Sequence, residues 1–374
     1  MKIKRNILLN PGPATTTDTV KLAQVVPDIC PREPEFCAVM ERVREKLVRV
    51  VHGDTRHAAV LFTASGTGGV EALISSVIPE KGKILVVNNG AYGQRMLDIA
   101  RCYFPEERII NYEIPWTFLP DTRKIEYIFA ENNDITHVCV VHHETTTGML
   151  NPVKKIAAMA HAKGIEMVVD AVSSYAGIDI DIERDGFDYL VSTSNKNIQG
   201  MAGIAFIIAQ KQKIEKSAAN PMRNLYLNLA AQYDGFEKNG QMRFTPPVQT
   251  VYALDRALDE FFEETPEGRF SRYRKSWEVL TEGMIKLGFR PVLPGACQAG
   301  LLTAFYEPSD NRFSFSDMHD YLYKRGFTIY PGKIGGMDTF RIANIGAIDE
   351  NDIRTFLGHL ENWLKKKGLQ SVSR

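Results

Sequence analysis

Val168-Val169-Asp170-Ala171-Val172-Ser173-Ser174 and Leu190-Val191-Ser192-Thr193-Ser194-Asn195-Lys196 are the two stretches that decide the fold. Each is a short apolar run that breaks off into small polar residues. Runs rich in Val and Leu, with little alternation, are strands covered on both faces. An acid, Asp170, ends the first run, and a lysine, Lys196, lies in the loop after the second, 26 residues later. In an open α/β sheet, ligands sit outside the carboxyl ends of the strands, which is where this reading puts both side chains.

The same pattern extends in both directions. Ala58–Thr63, Lys83–Asn88 and Thr136–His142 read as further buried strands, and the two opening runs belong to strands at Ile165–Val169 and Phe187–Ser192. Between them lie helical patterns. Val70, Leu73, Ile74 and Val77 share a face that stops before Pro79. Asn151 is expected to cap a helix with Pro152 in its first turn, Val153, Ile156 and Met159 on a stripe, and Gly164 at its end. Alternation of this kind predicts a mostly parallel α/β sheet with helices on both faces. After about residue 265 the pattern changes to a long polar-faced helix (Phe270 to about Leu287), a strand at Leu301–Tyr306, and a helix near Ser316–Arg325. Strands near Phe327–Tyr330 and Phe340–Ile345 and a closing helix complete a smaller α+β unit. The expected organisation is an N-terminal segment (1–14), a large domain (15–265) and a small C-terminal domain (266–374).

Lysine plus arginine equals aspartate plus glutamate at 45 each, so no net field favours nucleic acid or an acidic membrane. The five cysteines (Cys30, Cys37, Cys102, Cys139, Cys297) are scattered without a C-x-x-C pair, which argues against a disulfide framework or a zinc site and fits a reducing cytoplasm. Ile7-Leu8-Leu9 is too short for the apolar core of a signal peptide, and the most apolar run, Met201–Ala209, is too short to span a bilayer. A cytoplasmic enzyme of small molecules, with no metal, is the expectation. The Lys365-Lys366-Lys367 run is read as cations complementing a helix C-terminus.

A third feature joins Asp170 and Lys196. Ser65-Gly66-Thr67-Gly68-Gly69 follows a strand and opens a helix, so its backbone N–H groups can converge on an anion. It is not a dinucleotide fingerprint, because Glu71 stands where the third glycine belongs, and no Gly-Lys-Ser/Thr follows to make a P-loop. Taken singly, each feature has a plain alternative: a glycine-rich turn, an Asp capping the next helix, a solvated lysine. Taken together, they describe a phosphate cup, an acid for a protonated ring nitrogen, and an amine that forms an imine with an aldehyde cofactor.

With these motifs the chain resembles the class-V aminotransferases of fold type I, and within them the phosphonate-handling branch. The likeness runs nearly end to end. It includes Leu9–Pro13, the Ser65–Gly69 cup, Asn89–Met96, His143-Glu144-Thr145-Thr146-Thr147-Gly148, Asp170–Ser174, Ser194-Asn195-Lys196, Arg243–Pro247 and Phe340-Arg341-Ile342. The resemblance implies pyridoxal 5'-phosphate as cofactor, with Lys196 as its attachment point and proton carrier and Asp170 on the pyridine nitrogen. It places Tyr92 on the ring face, Thr145 at the ring hydroxyl, and Ser65, Gly66, Thr67 and Asn195 around the phosphate. Thr245 would reach the phosphate of a neighbouring subunit, making a homodimer with shared sites. Arg341 would clamp a carboxylate, with Arg32 and Arg95 as further anion candidates. The implied reaction exchanges 2-aminoethylphosphonate and pyruvate for phosphonoacetaldehyde and L-alanine. Alanine–glyoxylate or serine–pyruvate transamination and a non-catalytic cofactor-binding regulator are the alternatives. Tyr92, Thr145 and Arg341 also read as a partly buried aromatic, a turn residue and half of a surface ion pair. Asn228 and Met201-Ala202-Gly203 depart from what that branch leads one to expect.

Two further clusters carry no chemistry on this reading. His142-His143-Glu144 resembles a metal cluster, but neighbouring strand residues point to opposite faces, so both histidines cannot readily share one ion. Cys139 lies within an apolar strand and reads as an inert core thiol.

Overall fold

The computed structural model describes residues 3–334 and 336–369, so the outer limits of the expected first and last segments, at 1 and 374, lie outside it. Fourteen strands follow one another along the described chain. They are β1 (Ile7–Leu8), β2 (His57–Thr63), β3 (Lys83–Asn88), β4 (Ile109–Glu113), β5 (Ile135–Val141), β6 (His143–Glu144), β7 (Met149–Leu150), β8 (Glu166–Asp170), β9 (Tyr189–Thr193), β10 (Ile204–Gln210), β11 (Leu302–Tyr306), β12 (Phe327–Thr328), β13 (Tyr330–Ile334) and β14 (Met337–Ala343).

Seven of them form one sheet in the order β2-β10-β9-β8-β5-β3-β4. The five from β9 to β4 pair in parallel, whereas β10 runs antiparallel to both β9 and β2. Parallel strands need helical crossovers that cover the faces. The helices Gly66–Val77, Ala91–Tyr103, Thr122–Glu131 and Val153–His161 supply them. Their apolar stripes and the strands enclose a single large core that includes Val60, Leu73, Val86, Val140, Val169 and Ile207. The mostly parallel α/β architecture is therefore as expected.

The helix after β7 differs in one detail. Pro152, not Asn151, takes the capping position. Asn151 turns inward, where its amide exchanges bonds with Asn89 at 2.8 and 3.1 Å and donates to the Val141 carbonyl at 2.8 Å. Joining two carbonyl-edge loops outweighs capping a helix that proline already pre-shapes.

A second core, with Phe305, Phe340, Leu322, Phe356 and Trp363, lies between the sheet β11-β14-β13 and the helices Pro266–Lys286, Phe315–Tyr323 and Glu350–Lys366. The N-terminal segment joins this unit, since β1 pairs with β12 and the Leu9 carbonyl accepts from Ala343 N–H at 2.8 Å. Helix Pro266–Lys286 also reaches the loop after β9. Arg269, fully buried and ion-paired with Glu264, donates to the Asn197 carbonyl at 2.7 Å, and Gln199 Nε2 donates to Tyr273 Oη at 2.8 Å. The loop bearing Lys196 is thus gripped by both units. Among the described residues no helix is long and apolar enough to cross a membrane.

Candidate active site

β8 ends on Asp170, paired on one side with Val141 and on the other with Val191. Its carboxylate emerges at the carboxyl edge of the sheet, buried, with Oδ1 accepting from Val172 N–H at 2.9 Å. Only turns follow, so Asp170 is not a helix cap. Lys196 emerges one strand along. Its Nζ donates to the Pro11 carbonyl. The N-terminal segment crosses so closely that a Cβ on Gly12 would lie 2.6 Å from Lys196 Cδ and 2.7 Å from Nζ. Gly12 also has φ +141°, a region that L side chains rarely adopt. Glycine is required here on both counts.

Burial weakens both charges. It pushes Lys196 down to about 8, helped by Arg341 and Arg95 and opposed by Asp170. It pushes Asp170 up to about 6, helped by Glu144 and opposed by the Val172 N–H, Arg95 and Lys196. A lysine brought this near neutrality is available as free amine, which nucleophilic and general-base work require.

The glycine-rich cup faces the same edge. Ser65 caps helix Gly66–Val77, its Oγ accepting from Gly68 N–H at 3.4 Å. The first N–H groups of the helix have no intrahelical acceptor, and they favour an anion. The cup abuts the Asp170 loop, since a Cβ on Gly66 would meet both Val172 methyls at 3.1 Å. Thr67 Oγ1 accepts from Arg95 at 3.0 Å, and the Arg95 guanidinium lies 4.8 Å over the Tyr92 ring, so Tyr92 and the cup are joined. Asn195 follows β9, with its side-chain oxygen accepting from Thr193 Oγ1 at 3.0 Å and its carbonyl from Ala14 N–H at 2.9 Å.

Glu144, named in the sequence only within a metal-like cluster and the His143–Gly148 motif, organises this edge. Its buried carboxylate accepts from Tyr92 N–H (3.2 Å), Gly93 N–H (3.1 Å), Thr146 N–H (3.0 Å) and Thr146 Oγ1 (2.5 Å). It therefore sits on the N-terminus of helix Ala91–Tyr103, a favourable place for an anion. It ties Tyr92 to the turn that carries Thr145. Gly90 leaves the room for it, since a Cβ there would fall 2.2 Å from the Glu144 carboxyl carbon. Thr145 in turn meets the small unit: its carbonyl accepts from Arg341 Nη1 at 3.2 Å. Arg341, on β14, also donates to the Pro331 carbonyl at 3.2 Å and stacks 5.0 Å from the Tyr330 ring. Its ties are to carbonyls and a ring, and no ion pair to a carboxylate is found for it among the described residues, so it is not half of a surface salt bridge.

Several buried polar atoms at this edge have no partner among the described residues. His143 Nε2, Thr145 Oγ1 and Arg341 Nε are three of them, and such atoms are rare unless a ligand or water meets them. With the cup, the acid and the lysine, they suit pyridoxal phosphate: an anion at one end, a ring nitrogen at Asp170, an aldehyde at Lys196. Two expected residues lie apart from this group. Thr245 is exposed. Arg32 is engaged by Gln241 Oε1 and by the carbonyls of Met242 and Arg243, at 2.7 to 3.2 Å. Among the described residues no cluster of His, Cys, Asp and Glu is placed to hold a metal ion. Cys139 is a core thiol pushed up to about 12 by burial.

Comparison with known proteins adds to this geometry. The family model described as Aminotransferase class-V matches residues 21–326. The chain is 40% identical over 370 residues to the 2-aminoethylphosphonate–pyruvate transaminase of Klebsiella pneumoniae, covering 97% of this chain and 98% of that enzyme. It is 39% identical to a bifunctional phosphonoacetaldehyde hydrolase/aminoethylphosphonate transaminase of Clostridioides difficile, of which it covers 56%. Among solved structures, ureidoglycine–glyoxylate aminotransferase from Bacillus subtilis superposes with a TM-score of 0.88 at 22% identity, covering 100% of this chain and 98% of that one.

Proposed function

The chain belongs to the class-V aminotransferase family, and from that premise we propose that it exchanges 2-aminoethylphosphonate and pyruvate for phosphonoacetaldehyde and L-alanine. It is a pyridoxal-phosphate-dependent aminotransferase with the fold-type-I architecture. The observation that carries the proposal is the set of Lys196, Asp170 and Arg341: a buried amine near neutrality, a buried acid, and a guanidinium without a carboxylate. Near-full-length identity of 40% to transaminases of that substrate pair supports the choice of substrates.

When bound, pyridoxal phosphate supplies the electron sink that lets the carbon bearing the amine lose its proton. The chain does the rest. Lys196 would anchor the cofactor and, as a free amine, would take the proton from the substrate carbon and later return it. Asp170 would pair with the ring nitrogen, which would offset the burial of its own charge. Ser65, Gly66, Thr67 and Asn195 would hold the phosphate, Tyr92 would lie against the ring, and Thr145 Oγ1 would serve the ring hydroxyl. Arg341, pre-aimed by two carbonyls, takes the carboxylate of pyruvate or alanine in its fork.

A panel of amino donors with keto acceptors tests the substrates. Alanine formed from pyruvate with 2-aminoethylphosphonate is the expected result, and alanine formed only with L-serine would sink the phosphonate reading. Arg341→Gln should raise the KM for pyruvate about 30- to 150-fold, the loss of a charge-assisted pair worth roughly 2–3 kcal/mol. Cofactor attachment in that variant should persist; an unchanged KM removes Arg341 from the clamp.

The remaining expected residues gather on one exposed face. Arg32 donates to the Arg243 carbonyl, Phe244 and Thr245 follow in the chain, Tyr226 stacks on Phe244 at 5.1 Å, and Arg243 donates to the carbonyl of the exposed Leu225. Apolar exposure of this kind favours a protein partner. The partner is a second copy, with Thr245 completing the neighbour's phosphate site. Light scattering across a dilution series should report a dimer, and a fully active monomer would contradict it.

A further inference from the structure

His142 and His143 part company in the fold. His142 turns to Ser174 Oγ at 3.0 Å and meets Phe187 edge-on. His143 turns the other way, to the Ser173 carbonyl, 3.0 Å from its Nδ1. A carbonyl only accepts, so Nδ1 carries the proton and Nε2 is a bare acceptor. That Nε2 is buried without a partner among the described residues. The same carbonyl accepts from Asn197 Nδ2 at 3.1 Å, so the ring is fastened to the residue that follows Lys196.

Lys196 has the opposite imbalance. Its nitrogen offers three N–H bonds when protonated, and the Pro11 carbonyl is the acceptor found for it among the described residues. The two groups are close enough to feel one another, since the Lys196 charge adds to the burial that holds His143 down at about 4. A buried donor in excess beside a buried acceptor in excess is an unstable arrangement unless the two can meet.

We propose that His143 is a positioning residue for Lys196, its bare Nε2 receiving the lysine amine whenever that amine is free and turns from Pro11. The inference rests on Lys196 being the cofactor lysine. An imidazole that stays neutral accepts an N–H without removing the proton. It can therefore park the amine beside the reacting carbon without competing for the proton that Lys196 must carry. The other charged groups facing Lys196 are Asp170, Arg341 and Arg95, with Glu144 beyond Asp170. All are unchanged by substitution at 143.

The test uses the apoenzyme and reads attachment, not turnover. The rate of covalent uptake of pyridoxal phosphate, trapped by borohydride and measured by mass, is followed against pH. An acceptor favours the ammonium form, so His143→Leu should move the midpoint to lower pH by about half a unit to one unit. His143→Gln, whose amide can donate to Ser173 and still offer an oxygen, should restore it. In ¹⁵N spectra of the wild-type apoenzyme the His143 Nε2 should be unprotonated, and Lys196→Met should shift its signal. A His143→Leu profile that superposes on wild type, or a protonated Nε2, overturns the proposal; if His143→Leu does not fold, the spectra decide. Uptake that persists in Lys196→Met would instead overturn the assignment of Lys196 itself.

Discussion

Lys196→Ala is expected to lose all covalent cofactor and to lower turnover by at least about 10⁴-fold, the upper range for removal of a general base. Two separate functions sit on this nitrogen, attachment and proton transfer, and among the described residues the charged groups that face it, Asp170, Arg341 and Arg95, include no second lysine. Arg341 and Arg95 face the same space, but a guanidinium stays protonated and cannot act as a nucleophile near neutral pH. The fold should survive the change. Truncation removes a buried charge whose burial is unfavourable, while the loop stays tied through Asn197 to Arg269, Ser173 and Tyr175. Mass measurement after borohydride reduction checks attachment, and a melting curve checks the fold. A cofactor-sized mass increment persisting on Lys196→Ala would place the attachment elsewhere and undo the assignment.

The same chain shows why some of this was legible in the sequence and some was not. Asp170 and Lys196 stood out because an apolar run that stops in polar residues at the carboxyl end of a strand has few structural uses. The period of the pattern locates that end to within a residue or two. β10 was harder. Ile204–Gln210 is as apolar as its parallel neighbours, and nothing local says that the chain returns antiparallel between β9 and β2. The strand expected near Phe327–Tyr330 is β12, Phe327–Thr328, followed by a separate β13 that starts at Tyr330 and runs on through Pro331 and Gly332, residues that weaken a central strand but are tolerated in the edge strand of β11-β14-β13. Glu144 failed for another reason. Its four donors come from residues 92, 93 and 146, and half of them lie some fifty positions away. A buried carboxylate of that kind is visible only once two strand-end loops have met. The departure at Asn228, by contrast, has a local explanation: its Oδ1 caps helix Leu229–Asn239 by accepting from Ala231 N–H at 2.9 Å, a task Asn and Asp share.

Asp170→Asn should divide catalysis from stability, with opposite signs. Turnover should fall about 10²- to 10³-fold, the usual loss when a preorganised charge opposite developing charge is removed. The neutral amide can still accept from Val172 N–H, so the loop keeps its shape, but it cannot hold the ring nitrogen protonated. The cofactor-free protein should behave the other way. Its Asp170 titrates near 6 when folded, against 3.8 for the ordinary group. Between those values the folded state binds more protons than the unfolded chain, so stability from this group falls as pH rises. Above pH 6 the whole penalty, up to about 3 kcal/mol, is in force; below about 4 both states are protonated and it vanishes. Apo Asp170→Asn should therefore melt higher than apo wild type at pH 7.5, with the gap closing toward pH 4. The depressed Lys196 does not confuse that window, because its own linkage lies between about 8 and 10.5. Loading the cofactor should shrink or invert the difference, since a ring-nitrogen cation then compensates the carboxylate of the wild type and has no counterpart in the variant. Paired melting curves of both proteins, with and without pyridoxal phosphate across this pH range, measure all three effects. A variant that keeps full turnover would remove Asp170 from the ring nitrogen. A gap that stays constant with pH would instead show that folding does not raise the Asp170 carboxyl above its ordinary range.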